Sequence, residues 1–98
     1  MSEVIFERTD VKDEQAIKDI LKKEGYDVYS WEDGKGTYYP WHTHEHEEVR
    51  WVVSGEVEIG VKDKVFKLLP GDKIILAPDT PHWAKTEKGV RYVCGSKD

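Results

Sequence analysis

The most informative segment of this 98-residue chain runs from Gly36 to Gly55 and reads GTYYPWHTHEHEEVRWVVSG. Its middle places three histidines and three glutamates within seven consecutive residues, from His42 to Glu48. The fourth and last histidine, His82, lies far downstream and directly follows a proline. Imidazole nitrogens and carboxylate oxygens together are suitable ligands for divalent Fe, Mn, Ni, Zn and Cu. The segment therefore predicts a metal site to which His82 contributes.

The backbone conformation decides which histidines lie together. In a helix, His42 and His46 would be neighbours because they are four residues apart. In a strand, His42 and His44 would share a face because successive side chains alternate. Pro40 before the histidines and the β-branched, aromatic run after them favour a strand. On that strand, Glu48 would return to the face of His42 and His44.

The role of His46 stays open between two interpretations. It has the same parity as His44 on the predicted strand, so it is an alternative to Glu48 as a ligand. In the other interpretation, which we favour, His46 lies in a bend and faces solvent. Glu47 has the opposite parity and is expected outside the ligand set.

Length, charge and apolar content exclude several classes of protein. Ninety-eight residues predict one domain, residues 1–98. The net charge of −5, with no basic stripe, argues against a nucleic-acid partner. The apolar stretches are too short for a transmembrane helix, and the N-terminus lacks the apolar core of a signal peptide, so we expect a cytoplasmic protein without membrane contact. The single cysteine, Cys94, cannot form an internal disulfide.

The remaining sequence predicts one short helix followed by strands and turns. Asp13 can cap a helix over residues 13–24, whose apolar residues fall on one face and which Gly25 would end. Short strands with turn residues between them follow at regular spacing, as in a β-sandwich or β-barrel. The alternating run of residues 56–61 is the clearest of them.

The spacing of these residues resembles the two sequence motifs of the cupin family. The first motif is a glycine, five residues, His-x-His, three residues, a glutamate, six residues and a glycine; it is filled here by Gly36, His42, His44, Glu48 and Gly55. The second motif is matched at its first glycine and its histidine, Gly71 and His82. It departs from the family at three positions, where Ala77, Asp79 and Thr86 replace a proline, a glycine and an asparagine. Asp79 is expected to tolerate unusual backbone angles better than most residues.

The resemblance implies a fold, a ligand set and an assembly. The fold would be an all-β jelly-roll barrel over residues 28–93, preceded by an N-terminal extension, residues 1–27, that carries the helix. One divalent metal ion would bind inside the barrel to His42, His44, Glu48 and His82. Small members of the family are commonly dimers, which implies a homodimer.

The function predicted first is that of a metal-dependent enzyme acting on a small polar molecule, with a dioxygenase-like reaction favoured. The alternatives are a non-catalytic module that binds a metal or small ligand, a sugar isomerase-like activity, and an assembly protein with a vestigial metal site. Residues on or near the strands of the site could line a substrate pocket, and these are Tyr38, Arg50, Trp51 and Tyr92. For each of them the alternative is a structural role, in the core for the aromatic residues and in solvent for the arginine.

Overall fold

The computed structural model describes residues 4–97, which contain one helix and nine strands. In chain order the elements are β1 (Val4–Arg8), α1 (Glu14–Lys23), β2 (Asp27–Asp33), β3 (Tyr38–His42), β4 (Glu47–Gly55), β5 (Val57–Val61), β6 (Lys64–Leu68), β7 (Asp72–Leu76), β8 (His82–Lys85) and β9 (Val90–Lys97). Within this part of the chain, no helix has the length and apolar content needed to cross a membrane.

Two antiparallel sheets form the protein, as the all-β prediction requires. One sheet has five strands in the order β1-β7-β4-β9-β2, and the other has four in the order β3-β8-β5-β6. A core of buried apolar side chains from both sheets includes Val52, Ile59 and Leu68. The interior of the barrel is therefore made by the inward faces of the two sheets.

Helix α1 covers the outer face of the five-stranded sheet. It begins after Asp13, whose carboxylate accepts a hydrogen bond of 2.9 Å from the backbone N–H of Ala16. Its buried residues Ile17 and Leu21 pack in one cluster with Trp51 and other outward side chains of the sheet. The prediction of a helix over residues 13–24 is confirmed to within one residue at each end.

Strand β1 lies outside the range predicted for the barrel. It pairs with β7 along its whole length and forms one edge of the five-stranded sheet. Its Phe6 stacks on Phe66 of the four-stranded sheet, with ring centroids 5.5 Å apart, so it also joins the two sheets. Residues 1–27 are thus not only an extension, because residues 4–8 belong to the sheet.

The histidine segment is not the continuous strand that was predicted. Strand β3 ends at His42 and β4 begins at Glu47, and these strands belong to different sheets. Residues 43–46 carry the chain from one sheet to the other, and this crossing requires a bend that a straight strand cannot supply. The alternation of side chains therefore does not continue from His42 to Glu48.

Candidate metal centre and cavity

Three histidines meet inside the barrel. His42 ends β3 and is paired directly with His82, which begins β8, while His44 lies in the connection to β4. Each of the three can offer one ring nitrogen such that these atoms all lie within 4.8 Å of one another. The ring centroids are 4.3 to 5.3 Å apart. We call this group the histidine triad.

Backbone carbonyls fix the orientation of two rings in the triad. Nδ1 of His42 lies 2.6 Å from the carbonyl oxygen of Pro40, and Nδ1 of His82 lies 2.9 Å from that of Thr80. A carbonyl oxygen only accepts, so each Nδ1 carries the hydrogen and each Nε2 keeps its lone pair. This arrangement is typical of histidines that bind a metal through Nε2.

The third ring contains an orphaned polar atom. Nε2 of His44 is buried and has no hydrogen-bond partner among the described residues. A buried polar atom without a partner is costly unless something else satisfies it. A metal ion bound by the triad would satisfy it, so the residues present fit a divalent metal.

Burial also keeps two histidines of the triad, His44 and His82, in the form that binds metals. It lowers the pKa of His82 to about 4 against the hydrogen bond to Thr80, which acts in the opposite direction. Burial likewise lowers the pKa of His44, although the nearby Glu48 carboxylate opposes the shift. Both imidazoles are therefore neutral near pH 7, and only neutral imidazole coordinates a metal.

Glu48 lies near the triad but is paired with other residues. Its buried carboxylate contacts Arg50 Nη2 at 2.9 Å and His46 Nε2 at 3.2 Å. Among the described residues, the set of side chains close enough to share an ion contains the three histidines and not Glu48. His46 lies in a bend, and its side chain is 42% exposed with Nε2 against the Glu48 carboxylate.

A hydrogen bond joins two loops next to the triad, one that contains His44 and one that leads into His82. The backbone N–H of Asp79 donates to the carbonyl oxygen of His44 at 2.8 Å. Asp79 adopts a positive φ of 61°, in the left-handed region that favours glycine. The expectation that Asp79 can replace the motif glycine is thus confirmed at the level of the backbone.

A cavity of about 440 Å³ opens beside the triad. His42, His44 and His82 line it, together with Arg50 and several aromatic residues. Of the four residues predicted for a substrate pocket, Arg50 and Tyr92 line this cavity. Arg50 and Tyr92 belong to neighbouring strands, β4 and β9, of the five-stranded sheet.

The other two predicted pocket residues lie elsewhere. Trp51 follows Arg50 on β4 and therefore faces the helix, where its Nε1 donates to the carbonyl oxygen of Val11 at 3.1 Å. Tyr38 is 56% exposed, whereas its neighbour Tyr39 lines the cavity. At positions 38 and 39 the prediction chose the wrong member of an adjacent pair, and at positions 50 and 51 it took both members, although adjacent residues on a strand face opposite sides.

Sequence reasoning missed three aromatic residues of the cavity and a carboxylate that accepts hydrogen bonds from two of them. Tyr29, Trp31 and Tyr39 line the cavity with Tyr92. Asp33, which is 7% exposed, accepts hydrogen bonds from three of these four side chains, namely Trp31 Nε1 at 2.9 Å, Tyr39 OH at 2.6 Å and Tyr92 OH at 2.6 Å. The alternation of Tyr29, Trp31 and Asp33 along β2 was the signal that could have revealed them.

Comparison with protein-family models gives one match, to the cupin domain, over residues 29–94. The chain belongs to the cupin family. Its two antiparallel sheets are the jelly-roll barrel that the resemblance implied. The comparison with curated proteins gave no match.

Several solved structures resemble this chain over most of its length. DMSP lyase DddQ from Ruegeria pomeroyi is 25% identical with a TM-score of 0.69, and the match covers 74% of this chain and 38% of the lyase chain. A cupin-2 domain protein from Shewanella frigidimarina is 18% identical with a TM-score of 0.66, over 74% of this chain and 71% of that one. A DUF861 family protein from Thermotoga maritima is 20% identical with a TM-score of 0.67, over 97% of this chain and 100% of that one. This cupin thus spans less than half of the lyase chain.

Proposed function

We propose that this cupin is a metal-dependent enzyme that acts on a small polar molecule held in the barrel cavity. The observation that carries the proposal is the buried Nε2 of His44, which has no partner among the described residues and lies beside two histidines whose Nε2 lone pairs are free. A bound divalent ion would supply a Lewis acid or a redox centre at the wall of the cavity.

The proposed ligands are His42, His44 and His82, with Glu48 as the fourth. The triad supports the first three, because its nitrogens lie within 4.8 Å of one another. Glu48 would have to leave Arg50 and His46 in order to bind the ion. Its release would free the Arg50 guanidinium, which can bind a carboxylate of a substrate through two parallel hydrogen bonds.

Two reaction classes follow from this proposal. A dioxygenase is the class predicted from the sequence, and it requires a redox metal. A lyase is supported by the likeness to DMSP lyase DddQ, at 25% identity over 74% of this chain. The lyase class needs no molecular oxygen, so turnover without oxygen separates the two.

A non-catalytic ligand-binding module is the second candidate function, alongside the predicted sugar isomerase-like activity. The observation that favours it is that the described residues lining the cavity include no carboxylate, so few groups could act as a base once the triad nitrogens bind a metal. Burial, aided by Asp33, raises the pKa of Tyr39 and Tyr92, so these phenols keep their protons at pH 7. Glu48, the acidic residue beside the triad, is already paired with Arg50 and His46.

Metal content tests the proposed site directly. Protein purified without a His-tag should hold one equivalent of a divalent metal, and His44→Ala should weaken metal binding by more than about 100-fold. His46→Ala is the matched control, because His46 comes from the same segment but lies outside the triad. Equal metal binding by wild type and His44→Ala would overturn the site.

The variant Glu48→Gln tests the fourth ligand. A loss of metal affinity above about 100-fold supports ligation by Glu48, whereas a loss below about tenfold assigns Glu48 to the pairing with Arg50.

Turnover by the metal-loaded protein tests the enzyme proposal. The substrate panel would contain diols, thiols, keto acids, sugars and DMSP, each with and without oxygen. Oxygen uptake coupled to product supports the dioxygenase, and turnover without oxygen supports the lyase or isomerase. Tight binding of a compound that is never converted supports the binding module.

We further propose that the protein is a cytoplasmic homodimer with no nucleic-acid or membrane partner. Its net charge of −5 opposes binding to phosphate backbones. Large apolar side chains exposed on the described surface, which include Ile5, Val65 and Leu69, support a contact between copies.

A further inference from the structure

We propose that the aromatic end of the cavity, formed by Tyr29, Trp31, Tyr39 and Tyr92, binds a methylated onium group, such as a quaternary ammonium or a sulfonium. The inference deepens the proposed function and rests on it, because it takes the cavity to be the substrate site. It assigns a charge and a shape to one end of the ligand.

A buried negative charge stands behind these aromatic rings. Asp33 is 7% exposed and receives three hydrogen bonds, all from side chains that line the cavity. Within residues 4–97, Asp33 takes part in no ion pair with a lysine, arginine or histidine. Buried carboxylates are usually paired with a positive charge. Arg50 lines the same cavity but is paired with Glu48, so a cation from outside would supply the charge that Asp33 lacks.

The rings themselves are suited to a cation. The π face of an aromatic ring is negative and attracts positive charge within about 6 Å of its centroid. Donation from Tyr39, Tyr92 and Trp31 to a carboxylate polarises these side chains and makes their faces more negative. Such rings gain affinity for a cation without presenting a charge of their own to the ligand.

The hydrogen bonds of Asp33 also favour a methylated cation over one that carries N–H groups. Both carboxylate oxygens already accept bonds from the ring substituents, Oδ1 from two donors and Oδ2 from one. A primary ammonium would leave water and find few free acceptors among the rings, which is costly. A methylated onium has no N–H group to satisfy and presents only apolar methyls that share the charge.

The aromatic end is open to ligands from outside. Tyr29 and Trp31 are each about half exposed, and their rings meet edge to face with centroids 6.4 Å apart. They lie on β2, an edge strand of the five-stranded sheet. A ligand can therefore reach the aromatic end without passing the triad.

Calorimetry on metal-free protein tests the inference with two probes of the same shape. Choline carries the quaternary ammonium, and 3,3-dimethylbutan-1-ol replaces its nitrogen by carbon. Choline is expected to bind at least about tenfold more tightly than the neutral probe, because only choline carries the charge. Equal binding of both probes, or no binding of choline at millimolar concentration, would overturn the inference.

A matched pair of variants locates the binding. Trp31 and Trp41 are 49% and 52% exposed, but only Trp31 lines the cavity. Trp31→Leu should weaken choline binding about fivefold to tenfold, whereas Trp41→Leu should leave it unchanged. Equal effects of the two variants would overturn the assignment to the aromatic end.

A second variant removes the charge on Asp33. Measurement of metal binding then separates the onium inference from the proposed metal function. Asp33→Asn should reduce the preference for choline over the neutral probe. If Asp33→Asn does not fold, the comparison of Trp31→Leu with Trp41→Leu still tests whether choline binds at the aromatic end. Metal binding without choline binding would overturn only the onium inference. Choline binding without metal binding would overturn the proposed metal function and leave the onium site standing.

Discussion

At the scale of single residues, the motif glycines are required for different reasons. Gly55 has a φ of 79°, and a Cβ at this position would lie 2.2 Å from the carbonyl oxygen of Gly89. Gly36 has the same positive φ, but nothing lies within 4 Å of the place its Cβ would occupy. Gly55 is therefore required by both conformation and space, whereas Gly36 is required by conformation alone.

These differences predict a graded set of stabilities. Gly36→Ala should cost about 1 to 2 kcal/mol for the left-handed backbone. Gly55→Ala should cost about 3 kcal/mol or more, because overpacking adds to the same backbone cost. Gly34→Ala is the control, since Gly34 has neither a positive φ nor a close neighbour. Urea denaturation of the three variants measures the order, and an equal loss at positions 36 and 55 would contradict the clash at Gly55.

The sequence predicted the triad residues better than the cavity residues. The histidines were identified because few residue types bind metals and the chain has only four histidines. Pocket residues depend on which side of a strand they face, and an error of one position reverses the answer. Strand β3 has a bulge between Tyr39 and His42, which interrupts the alternation of side chains. The side that Tyr39 faces therefore cannot be worked out by counting residues back from His42.

At the scale of elements, an ion pair fixes helix α1 to the sheet. Arg91 on β9 contacts both carboxylate oxygens of Glu14, with Nε at 2.7 Å and Nη2 at 2.9 Å. The hydroxyl of Ser30 on β2 donates to the same carboxylate. The hydrogen bonds from Arg91 and Ser30 lower the pKa of Glu14 to about 2.

Glu14→Gln should therefore destabilise the protein at pH 7. The expected loss is about 1 kcal/mol, because the pair is partly exposed to water and screened. Asp19→Asn in the same helix is the control, since among the described contacts Asp19 accepts only an exposed bond from Gln15. Chemical denaturation at pH 7 measures both variants, and equal losses would show that the Arg91 contact contributes nothing specific.

The same pair predicts how stability changes with pH. The pKa of Glu14 is about 2 in the folded protein and 4.5 as its ordinary value, so the carboxylate stabilises the fold above pH 4.5. That contribution is lost as the pH falls from 4.5 to 2. The difference in stability between wild type and Glu14→Gln should accordingly shrink over this range, and a constant difference would contradict the assignment.

Elements with strong local signals were predicted, and those that depend on pairing were not. Helix α1 has a capping residue, an apolar face and a terminal glycine, all visible in the sequence. Strand β1 has five residues, and its identity as a strand comes from its pairing with β7. The bend at residues 43–46 likewise follows from the positions of two sheets, which no local pattern records.

At the scale of the whole molecule, the barrel has a packed part and an open part. Apolar side chains such as Val52, Leu68 and Ile74 are fully buried in the core. The cavity lies between the same sheets but is bordered by the triad, Arg50 and the aromatic residues. The family motifs predicted that a barrel would form, but the size and lining of its cavity depend on how the two sheets are set against each other.

The assembly proposal can be tested on the whole molecule. Light scattering at micromolar concentration should give twice the chain mass of 11.4 kDa. Val65→Lys and Leu69→Lys would each place a charge on an exposed apolar site and should shift the mass toward the monomer. A monomeric mass for the wild-type protein would contradict the homodimer.

The hydrogen bond from Asp79 to His44 has a consequence for protein engineering. It joins the loop of residues 43–46 to the loop of residues 77–81, which leads into His82. A transplant of the three histidine side chains onto another barrel would leave this connection behind. The unit to graft is therefore the pair of loops, including the left-handed Asp79, because the backbone of one loop holds the other in place.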